Sequence, residues 1–285
     1  MISKNWPAPA KLNLFLHITG RRQDGYHLLQ TVFQFIDLVD DIEFQLTTDG
    51  ALRRLSAMPG VAEEDDLVIR AARLLQEHSG STHGVDIKVN KRIPEGGGLG
   101  GGSSDAATTL VALNELWQTG LEPSQLAEIG LSLGADVPIF IYGRAAWAEG
   151  VGEQLSPVEP AEVYYLVIHP GCSVPTAAIF NAPDLTRNTP PITIRDFFDR
   201  GGINDCEAVV RKQYPEVNAA IDWLNQFAPT RLTGTGACVF AGFEDESSAQ
   251  AAREQLPATW RGFLVRGVNR SPLQARLAEE RNAAN

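Results

Sequence analysis

The acidic composition of this 285-residue chain limits its partners: 35 Asp and Glu residues against 24 Lys and Arg residues give a net charge of −11, which argues against nucleic acid and anionic membranes because both bind broad basic surfaces. The cysteines Cys172, Cys206 and Cys238 are widely spaced and form no CxxC pair, so neither a disulfide framework nor a zinc site is indicated. A hydrophobic content of 44% is enough to form real cores, and the length favours two domains.

The absence of targeting signals sets an expectation for location. Residues 1–11 lack the apolar core of a signal peptide, and no apolar run is long enough to span a bilayer. We therefore expect a cytoplasmic protein with no membrane partner. Because the net charge is negative, any polyanionic ligand has to be held by a local site.

The N-terminal segment predicts a strand followed by a turn. Apolar and more polar residues alternate over residues 12–18, the period of a strand that is buried on one face, and Lys11 stands at its entrance. Asp24-Gly25 is a strong turn signal, and Tyr26 and His27 follow it directly. Further strands are predicted over residues 31–38 and 41–46.

A helix and a strand are predicted to lead into an unusual glycine run. Apolar residues at helical spacing indicate a helix over residues 67–78, which Ser79-Gly80-Ser81 would end. Residues 85–89 alternate as a strand does. The chain then passes through residues 91–93 into the glycine run.

The glycine run predicts a loop that binds a ligand. Six of the seven residues 96–102 are glycine, and each would lose backbone entropy in a helix or strand without burying a side chain. A helix is predicted over residues 106–117, with Ser103 or Ser104 as its cap and Asp105 complementing its dipole. A glycine loop that leads into a helix N-terminus presents backbone N–H groups to an anion, so we predict a phosphate site.

Better-known phosphate loops fit this run poorly. The Walker pattern requires a lysine that residues 101–103 lack. A dinucleotide pattern overlays on Gly96, Gly98 and Gly101, but no acidic partner stands at ribose distance. A flexible linker is the alternative without a ligand, although linkers rarely adjoin a strand and a capped helix.

The rest of the chain predicts an α+β architecture. A helix begins at Pro123 and ends in the turn 134–138, and a strand is expected over residues 139–142. The Gly- and Pro-containing polar segment 149–160 suggests a boundary between domains 1–155 and 156–285. In the second half we expect strands over residues 163–169 and 263–268 and helices over residues 205–213, 215–227 and 249–256.

Three separated motifs resemble the signatures of the GHMP kinases. They are Pro-Ala-Lys-Leu-Asn-Leu at residues 9–14, Pro-Glu-Gly-Gly-Gly-Leu-Gly-Gly-Gly-Ser-Ser at residues 94–104 and Gly-Thr-Gly-Ala-Cys-Val-Phe at residues 234–240. Residues 24–27, 134–138 and 148–153 are similar to the branch of that family whose substrate is a cytidine-diphosphate-linked methylerythritol. The resemblance implies a two-domain α+β fold, with an N-terminal ribosomal-protein-S5-like α/β domain and a C-terminal ferredoxin-like α+β domain.

The same resemblance implies a reaction. The γ-phosphoryl group of ATP would pass to the 2-hydroxyl of the methylerythritol unit, a step of the non-mevalonate isoprenoid route. Asp136 would accept the hydroxyl proton, and Lys11 would lie beside that aspartate and the reacting oxygen. ATP and Mg²⁺ are the implied cofactors, and we expect no association of the protein with itself beyond a weak homodimer. Two alternatives stay open: another GHMP small-molecule kinase, and a non-catalytic nucleotide-binding regulator, which would be expected to have lost Lys11 or Asp136.

The resemblance also implies where each substrate binds. The phosphates of ATP would be wrapped by the loop, with Mg²⁺ near Ser104 and no dedicated metal ligand, and Lys91 would lie beside the adenine unless it is simply a solvated lysine. Asp66 is left outside the site because the family often has asparagine there. The ATP-binding residues would be Lys91, Pro94, Gly96, Gly97, Gly98, Leu99, Gly100, Gly101, Gly102, Ser103 and Ser104.

For the second substrate, the resemblance implies that Tyr26 and Phe180 stack on the cytosine and that His27 reads its edge. Core packing is the competing interpretation for Phe180. Tyr26 and His27 have little reason to be buried on a turn. Asn13 and Thr176 are candidate contacts to the erythritol or diphosphate part.

Overall fold

A ten-stranded sheet organises the protein in the computed structural model, which describes residues 2–56 and 61–284. The strands are β1 (Ile2–Arg21), β2 (His27–Thr47), β3 (Leu52–Arg54), β4 (Gly84–Asn90), β5 (Ala146–Glu149), β6 (Gln154–Pro157), β7 (Tyr164–His169), β8 (Thr230–Leu232), β9 (Val239–Phe243) and β10 (Arg261–Val268). The main path runs β3-β4-β2-β10-β7-β9-β8, while β1 and β5 also pair with β2, and β6 pairs with β5.

Helices cover the sheet and complete the α+β class that the sequence predicted. They are α1 (Leu67–Ser79), α2 (Gly101–Leu116), α3 (Pro123–Leu133), α4 (Val137–Tyr142), α5 (Thr176–Phe180), α6 (Ile194–Arg200), α7 (Glu207–Gln213), α8 (Pro215–Leu224), α9 (Glu246–Arg253) and α10 (Pro272–Ala284). Among the described residues, none of these helices combines the length and hydrophobicity that crossing a membrane would need.

The two longest strands form one antiparallel hairpin. Pairing runs from Ile2 opposite Gln45 to Arg21 opposite His27, so the turn that carries Tyr26 lies at one tip. The prediction of two separate strands over residues 31–38 and 41–46 is wrong, because β2 continues through both. The apolar alternation is interrupted at Asp40, which is nonetheless fully buried because it accepts hydrogen bonds from Lys91 and from two backbone N–H groups.

The first-half core lies between this sheet and the helices that follow it. Helix α1 begins where the Asp66 side chain accepts a hydrogen bond from the Val68 N–H, and it ends at Gly80, whose φ is 70°. Helix α2 is buried along most of its length and packs against α1, α4 and β1. The largest fully buried apolar side chains of this core come from β1, β2 and α4: Trp6, Phe33, Phe35, Phe44 and Phe140.

Two local predictions here are wrong. Residues 139–142 belong to helix α4, not to a strand: the run from Val137 to Ile141 is buried on all sides, and a short, wholly apolar run has no period that separates helix from strand. Helix α2 begins earlier than predicted, with Gly100 as its cap at φ 74°, so Ser103 and Ser104 lie inside the helix and cap nothing.

The second half continues the sheet rather than starting a detached one. Strand β10 pairs with β7 along its length and then with β2 through Gly267 opposite Ile36 and Val268 opposite Phe35. A second core forms where α7, α8 and α9 cover this part of the sheet. Helix α10 returns to pack against β1 and α2. The sheet therefore joins the two halves directly beside the N-terminal hairpin.

Candidate active site

A cleft of about 880 Å³ brings the predicted site residues together. Residues from β1, the hairpin turn, the glycine loop (residues 94–102), Asp136 and α5 all line it. Every predicted site residue except Ser104 contributes to its wall. Residues that are distant in the sequence thus share one cavity of a size typical of small-molecule sites.

Lys11 and Asp136 form an ion pair in this cleft. The Lys11 Nζ lies 3.3 Å from Asp136 Oδ2, and it also donates to Asn13 Oδ1 at 2.5 Å and to the Gly98 carbonyl at 3.0 Å. Its side chain is only 4% exposed, whereas that of Asp136 is 34% exposed. Three acceptors therefore surround the three N–H donors of the ammonium group and fix its position.

The Asp136 carboxylate does not cap the helix that it precedes. Asp136 occupies the cap position of α4, yet its side chain makes no capping hydrogen bond. Pro138, in the first turn of that helix, has no N–H that would need an acceptor. The carboxylate, held by Lys11 and open to the cleft, is consequently available to accept a proton from a bound group.

The glycine loop has a backbone path that only glycine tolerates. Gly96, Gly98 and Gly100 have φ values of 64°, 74° and 74°. A Cβ on Gly98 would lie 2.2 Å from the Thr233 carbonyl oxygen. The loop is also hydrogen-bonded to the third motif, because the N–H groups of residues 237 and 238 donate to the carbonyls of residues 96 and 97, both at 3.0 Å.

The N-terminus of α2 opens onto the cleft beside Lys11. The first intrahelical bond runs from the Ser104 N–H to the Gly100 carbonyl, so the N–H groups of residues 101–103 have no acceptor within the helix. These groups and the helix dipole make a site for an anion. Ser103 lines the cleft, but Ser104 faces the core: it is fully buried, and its Oγ has no hydrogen-bond partner among the described residues. The expected contact of Ser104 with the nucleotide is wrong, because a helix turns successive side chains to different sides.

A second cavity of about 230 Å³ adjoins the first, and Leu67, Lys91 and Gly102 line both. Lys91 is not a solvated strand-end lysine, since its Nζ donates to Asp40 Oδ2 at 2.5 Å and to Asp105 Oδ2 at 2.8 Å. One oxygen of Asp105, Oδ1, is buried and has no hydrogen-bond partner within residues 2–56 and 61–284.

Burial and the neighbouring charges shift the pKa values of both Asp105 and Lys91. Burial raises the pKa of Asp105 to about 7, with Lys91 acting in the opposite direction and Asp40 in the same direction. Burial alone would lower the pKa of Lys91, but the charges of Asp105 and Asp40 outweigh it and raise that pKa. The predicted interaction of Asp105 with the helix dipole is wrong, because Asp105 lies beyond the first turn of α2 and its carboxylate pairs with Lys91 instead.

Asp66, which sequence reasoning left outside the site, lines the second cavity. Its two oxygens are already engaged, Oδ1 by the Val68 N–H at 3.0 Å and Oδ2 by Arg54 at 2.7 Å. It shapes the wall of that cavity as the cap of α1.

The opposite end of the cleft carries the predicted base-binding side chains. Tyr26 is 62% exposed, in line with its place on a turn, but His27 is only 8% exposed. The His27 ring stacks on Phe180 with 5.1 Å between ring centroids and 22° between planes. Its Nε2 accepts a hydrogen bond of 3.0 Å from Arg187 Nε. Burial lowers the pKa of His27, and the cations Arg187 and Arg21 lower it further.

The two remaining predicted residues are tied into the frame of the cleft. The Asn13 side chain donates to Thr31 Oγ1 at 3.0 Å while it accepts from Lys11. The hydroxyls of Thr176 and Thr235 lie 3.0 Å apart and connect α5 to the third motif. Both residues line the cleft.

Sequence reasoning missed several residues that hold this site together. Asp40 and Arg187 lie far along the chain from the groups they bind and belong to none of the motifs. Asp105 directly follows the serine pair of the second motif, so its place beside the loop was a usable signal. Thr233 directly precedes the third motif; its Oγ1 accepts from the Asn13 N–H at 3.0 Å.

Comparison with known proteins decides the family. The model of the GHMP kinases N terminal domain matches residues 66–144, and that of the GHMP kinases C terminal matches residues 193–262. The chain is 59% identical to the 4-diphosphocytidyl-2-C-methyl-D-erythritol kinase of Nitrosococcus oceani, over 94% of this chain and 96% of the relative. It is 58% identical to the enzyme of the same name from Halorhodospira halophila, over 96% of each chain. The chain belongs to the GHMP kinases, in the branch of the 4-diphosphocytidyl-2-C-methyl-D-erythritol kinases.

Solved structures agree with this membership. A crystal structure of 4-(cytidine 5'-diphospho)-2C-methyl-D-erythritol kinase superposes with a TM-score of 0.80 at 34% identity, covering 94% of this chain and all of the other. A mevalonate kinase at 17% identity, with a TM-score of 0.69 over 94% of this chain and 99% of the other, shows the shared fold alone. The family predicted from the motifs is thus confirmed, and membership makes the chain an ATP-dependent kinase.

Proposed function

We propose that this kinase transfers the γ-phosphoryl group of ATP to the 2-hydroxyl of 4-diphosphocytidyl-2-C-methyl-D-erythritol, in the non-mevalonate route to isoprenoid precursors. The observation that carries the proposal is the pair formed by Lys11 and Asp136, with 3.3 Å between Nζ and Oδ2, in the same cleft as the N-terminus of α2. A proton acceptor, a cation and a phosphate site are the parts that phosphoryl transfer to an alcohol requires.

Asp136 accepts the proton of the attacking hydroxyl in this proposal. Its carboxylate makes no capping bond and is about one-third exposed, so a substrate hydroxyl can reach it. Lys11 stabilises the negative charge that develops on the same oxygen and on the transferred group. A cation about 4 Å from an anion contributes roughly 4 kcal/mol at an effective dielectric constant near 20.

The phosphates of ATP lie along the glycine loop, against the free N–H groups of residues 101–103. The second cavity then holds the adenine, since it shares Leu67, Lys91 and Gly102 with the cleft. Leu67, Val68 and Val89 supply apolar walls for a flat base, and Lys91 lies at the junction. This assignment keeps Lys91 as an ATP-binding residue and adds Asp105 to the wall of the base pocket.

Mg²⁺ fits this site as part of the bound nucleotide. Within the described residues, no group of three or more His, Cys, Asp or Glu side chains is arranged to hold a metal ion. Mg²⁺ in kinases is held largely by substrate phosphates and water, with one or two protein oxygens. Glu95, Ser103 and Asp136 are residues with side-chain oxygens that line the cleft in or near the loop. When bound, the ion would neutralise charge on the phosphates.

The acceptor enters from the other end of the cleft. Tyr26, His27 and Phe180 contact its cytosine, and the methylerythritol then extends toward Lys11 and Asp136. Asn13 acts mainly by holding Lys11, because both polar atoms of its side chain are already paired. Thr176 remains a candidate contact to the diphosphate.

Three further proposals concern the domain boundary, the oligomeric state and the location in the cell. We place the division of the chain at residue 155, with domains 1–155 and 156–285, although the sheet runs across it. A weak homodimer would be detected by sedimentation velocity at increasing protein concentration. A cytoplasmic location follows from the need for ATP as a substrate.

A coupled assay of ADP release tests the proposed function. ADP should form with 4-diphosphocytidyl-2-C-methyl-D-erythritol, and ³¹P NMR should show one new phosphomonoester in the product. Release only with mevalonate, homoserine or a sugar would mean another GHMP kinase. Nucleotide binding without ADP release from any of these acceptors would mean a non-catalytic regulator.

A further inference from the structure

Arg187 connects the two side chains that line the base end of the cleft. Its Nε donates to His27 Nε2 at 3.0 Å, and its Nη2 donates to the Phe180 carbonyl at 2.9 Å. The same guanidinium also donates to the carbonyls of Ala182 at 2.7 Å and Leu185 at 3.0 Å. One arginine thus holds a residue of the N-terminal hairpin and a residue of α5 in a single unit.

The direction of these bonds determines where the His27 ring carries its proton. A guanidinium has only donors and does not deprotonate in proteins, so His27 Nε2 has to be the acceptor. A neutral imidazole that accepts at Nε2 carries its hydrogen on Nδ1. His27 is therefore held as an Nδ1–H donor.

We propose that Arg187 is a positioning residue that fixes His27 as an Nδ1–H donor and so makes the cleft select a cytosine over a uracil in its second substrate. The inference rests on the proposed function, because it assumes that the nucleobase binds beside His27. Cytosine presents an acceptor at N3, whereas uracil presents an N–H there. A fixed donor pairs with the first and leaves two donors facing each other with the second, which is an unfavourable contact.

The charges around His27 support the neutral ring. The charged side chains that act on it are Arg187, from the segment after α5, and Arg21, at the end of β1, and both are cationic. A protonated ring would have no acceptor for Arg187. Removing Arg187 should therefore raise the pKa of His27, and the acidic limb of the pH profile of kcat/KM for the cytidylyl substrate should move to higher pH.

The wild-type enzyme offers a direct test, in which a substitution serves only to assign the signal. Nitrogen-15 NMR of the imidazole rings distinguishes the two neutral forms, and the chain has five histidines, so the variant His27→Gln assigns the signal of interest. We expect the proton on Nδ1 at pH 8. A proton on Nε2 would overturn the inference, whatever the enzyme phosphorylates.

Kinetics with matched variants form the second test. Arg187→Met should raise KM for the cytidylyl substrate about tenfold or more, lower the preference over the uridylyl analogue by a similar factor, and leave kcat and KM for ATP within about twofold. Arg187→Lys should recover part of the preference, since a lysine supplies a donor but cannot reach all four acceptors.

Arg276→Met is the control for loss of a partly buried arginine. Arg276 lies on α10, outside the cleft, where it packs over the Trp6 ring at 4.6 Å and donates to Ser3 Oγ. We expect reduced thermal stability and unchanged base preference. If Arg187→Met loses stability but keeps the wild-type preference and pH profile, Arg187 is only structural and the inference fails. If wild type itself does not act on the cytidylyl substrate, the proposed function fails, while the NMR result still tests the bond between Arg187 and His27.

Discussion

The two ends of the cleft are built differently. The phosphate end, made of Lys11, Asp136 and the glycine loop, consists of backbone and one ion pair, in which the lysine is buried and the aspartate is open to the cleft. The base end, made of Tyr26, His27, Phe180 and Arg187, consists of side chains on a turn, on a five-residue helix and on the segment after it. The phosphate end is held by hydrogen bonds among β1, the glycine loop and the third motif, whereas the base end depends largely on Arg187.

This difference separates the chemistry from the choice of acceptor. A side chain added in the glycine loop would collide with the third motif, so the phosphate end has little room for change. At the base end, Tyr26 is mostly exposed and can be replaced without disturbing a core.

Replacing the proposed base should have the largest effect. Asp136→Asn keeps the size of the side chain but removes the proton acceptor, and general-base assistance is typically worth about 10²–10⁴-fold. We expect kcat to fall by that factor while KM for ATP and thermal stability change little, because the carboxylate caps no helix. Near-normal kcat in this variant would leave positioning as the better explanation of catalysis.

A substitution in the loop tests whether the phosphate end is as rigid as described. Gly98→Ala places a Cβ 2.2 Å from the Thr233 carbonyl at a φ of 74°, so the loop has to move. A displacement of about 1 Å can lower the rate about 100-fold, and we expect a loss of this order in kcat/KM for ATP.

The matched control is Gly120→Ala, at a φ of 71° with no atom within 4 Å of the added Cβ. It carries the same backbone strain without the collision, so activity should stay at the wild-type level. Equal loss of activity in both variants would show that strain alone, and not the fit of the loop, is responsible.

At the base end, Tyr26→Ala should affect one substrate only. Stacking of a base on an aromatic ring is worth about 1–3 kcal/mol, so KM for the cytidylyl substrate should rise about tenfold while KM for ATP stays constant. Steady-state kinetics with each substrate varied in turn measure the split. A parallel rise in both KM values would mean that the two ends are coupled.

The smallest effect should come from Asp105, under the proposed adenine pocket. Its pKa is raised by burial to about 7, above that of an unfolded aspartate, so its contribution to stability is present at low pH and is lost as the pH rises through about 7. Asp105→Asn removes that dependence, and the Tm of the variant should rise relative to wild type between pH 5 and pH 8. Calorimetry at several pH values measures this difference.

Asp245→Asn provides the control for a titrating aspartate. The pKa of Asp245 is held at about 2 by hydrogen bonds from Ser247 and Ser248, so its effect on Tm should be constant from pH 5 to pH 8. A constant effect of Asp105→Asn over the same range would show that Asp105 titrates outside it.

Much of the fold was predictable where periodicity was clear. The alternation of residues 12–18 and the helical spacing after Asp66 correspond to β1 and α1. The errors arose where periodicity carries no information. The apolar run of α4 is buried all round, and the polar Asp40 interrupts the apolar pattern of the continuous strand β2 because its carboxylate binds Lys91 in the folded protein.

The residues of the site likewise fall into those that the sequence identified and those that it did not. The motif residues identify the glycine loop, Lys11 and Asp136, because the family resemblance carries them. Arg187 has no local signal: its partner His27 is 160 positions away, and the contact exists only after the second half folds onto the hairpin. Ser104 was misplaced because the start of α2 depends on Gly100, not on a serine cap.

A double-mutant cycle on the single-turnover rate of phosphoryl transfer, with wild type, Asp136→Asn, Lys11→Met and the double variant, shows whether the two side chains act together. The two groups lie 3.3 Å apart and are proposed to act on one oxygen, so their effects should not be independent. We predict that the double variant is impaired much less than the product of the two single effects. A fully multiplicative loss would contradict a shared site of action for Lys11 and Asp136.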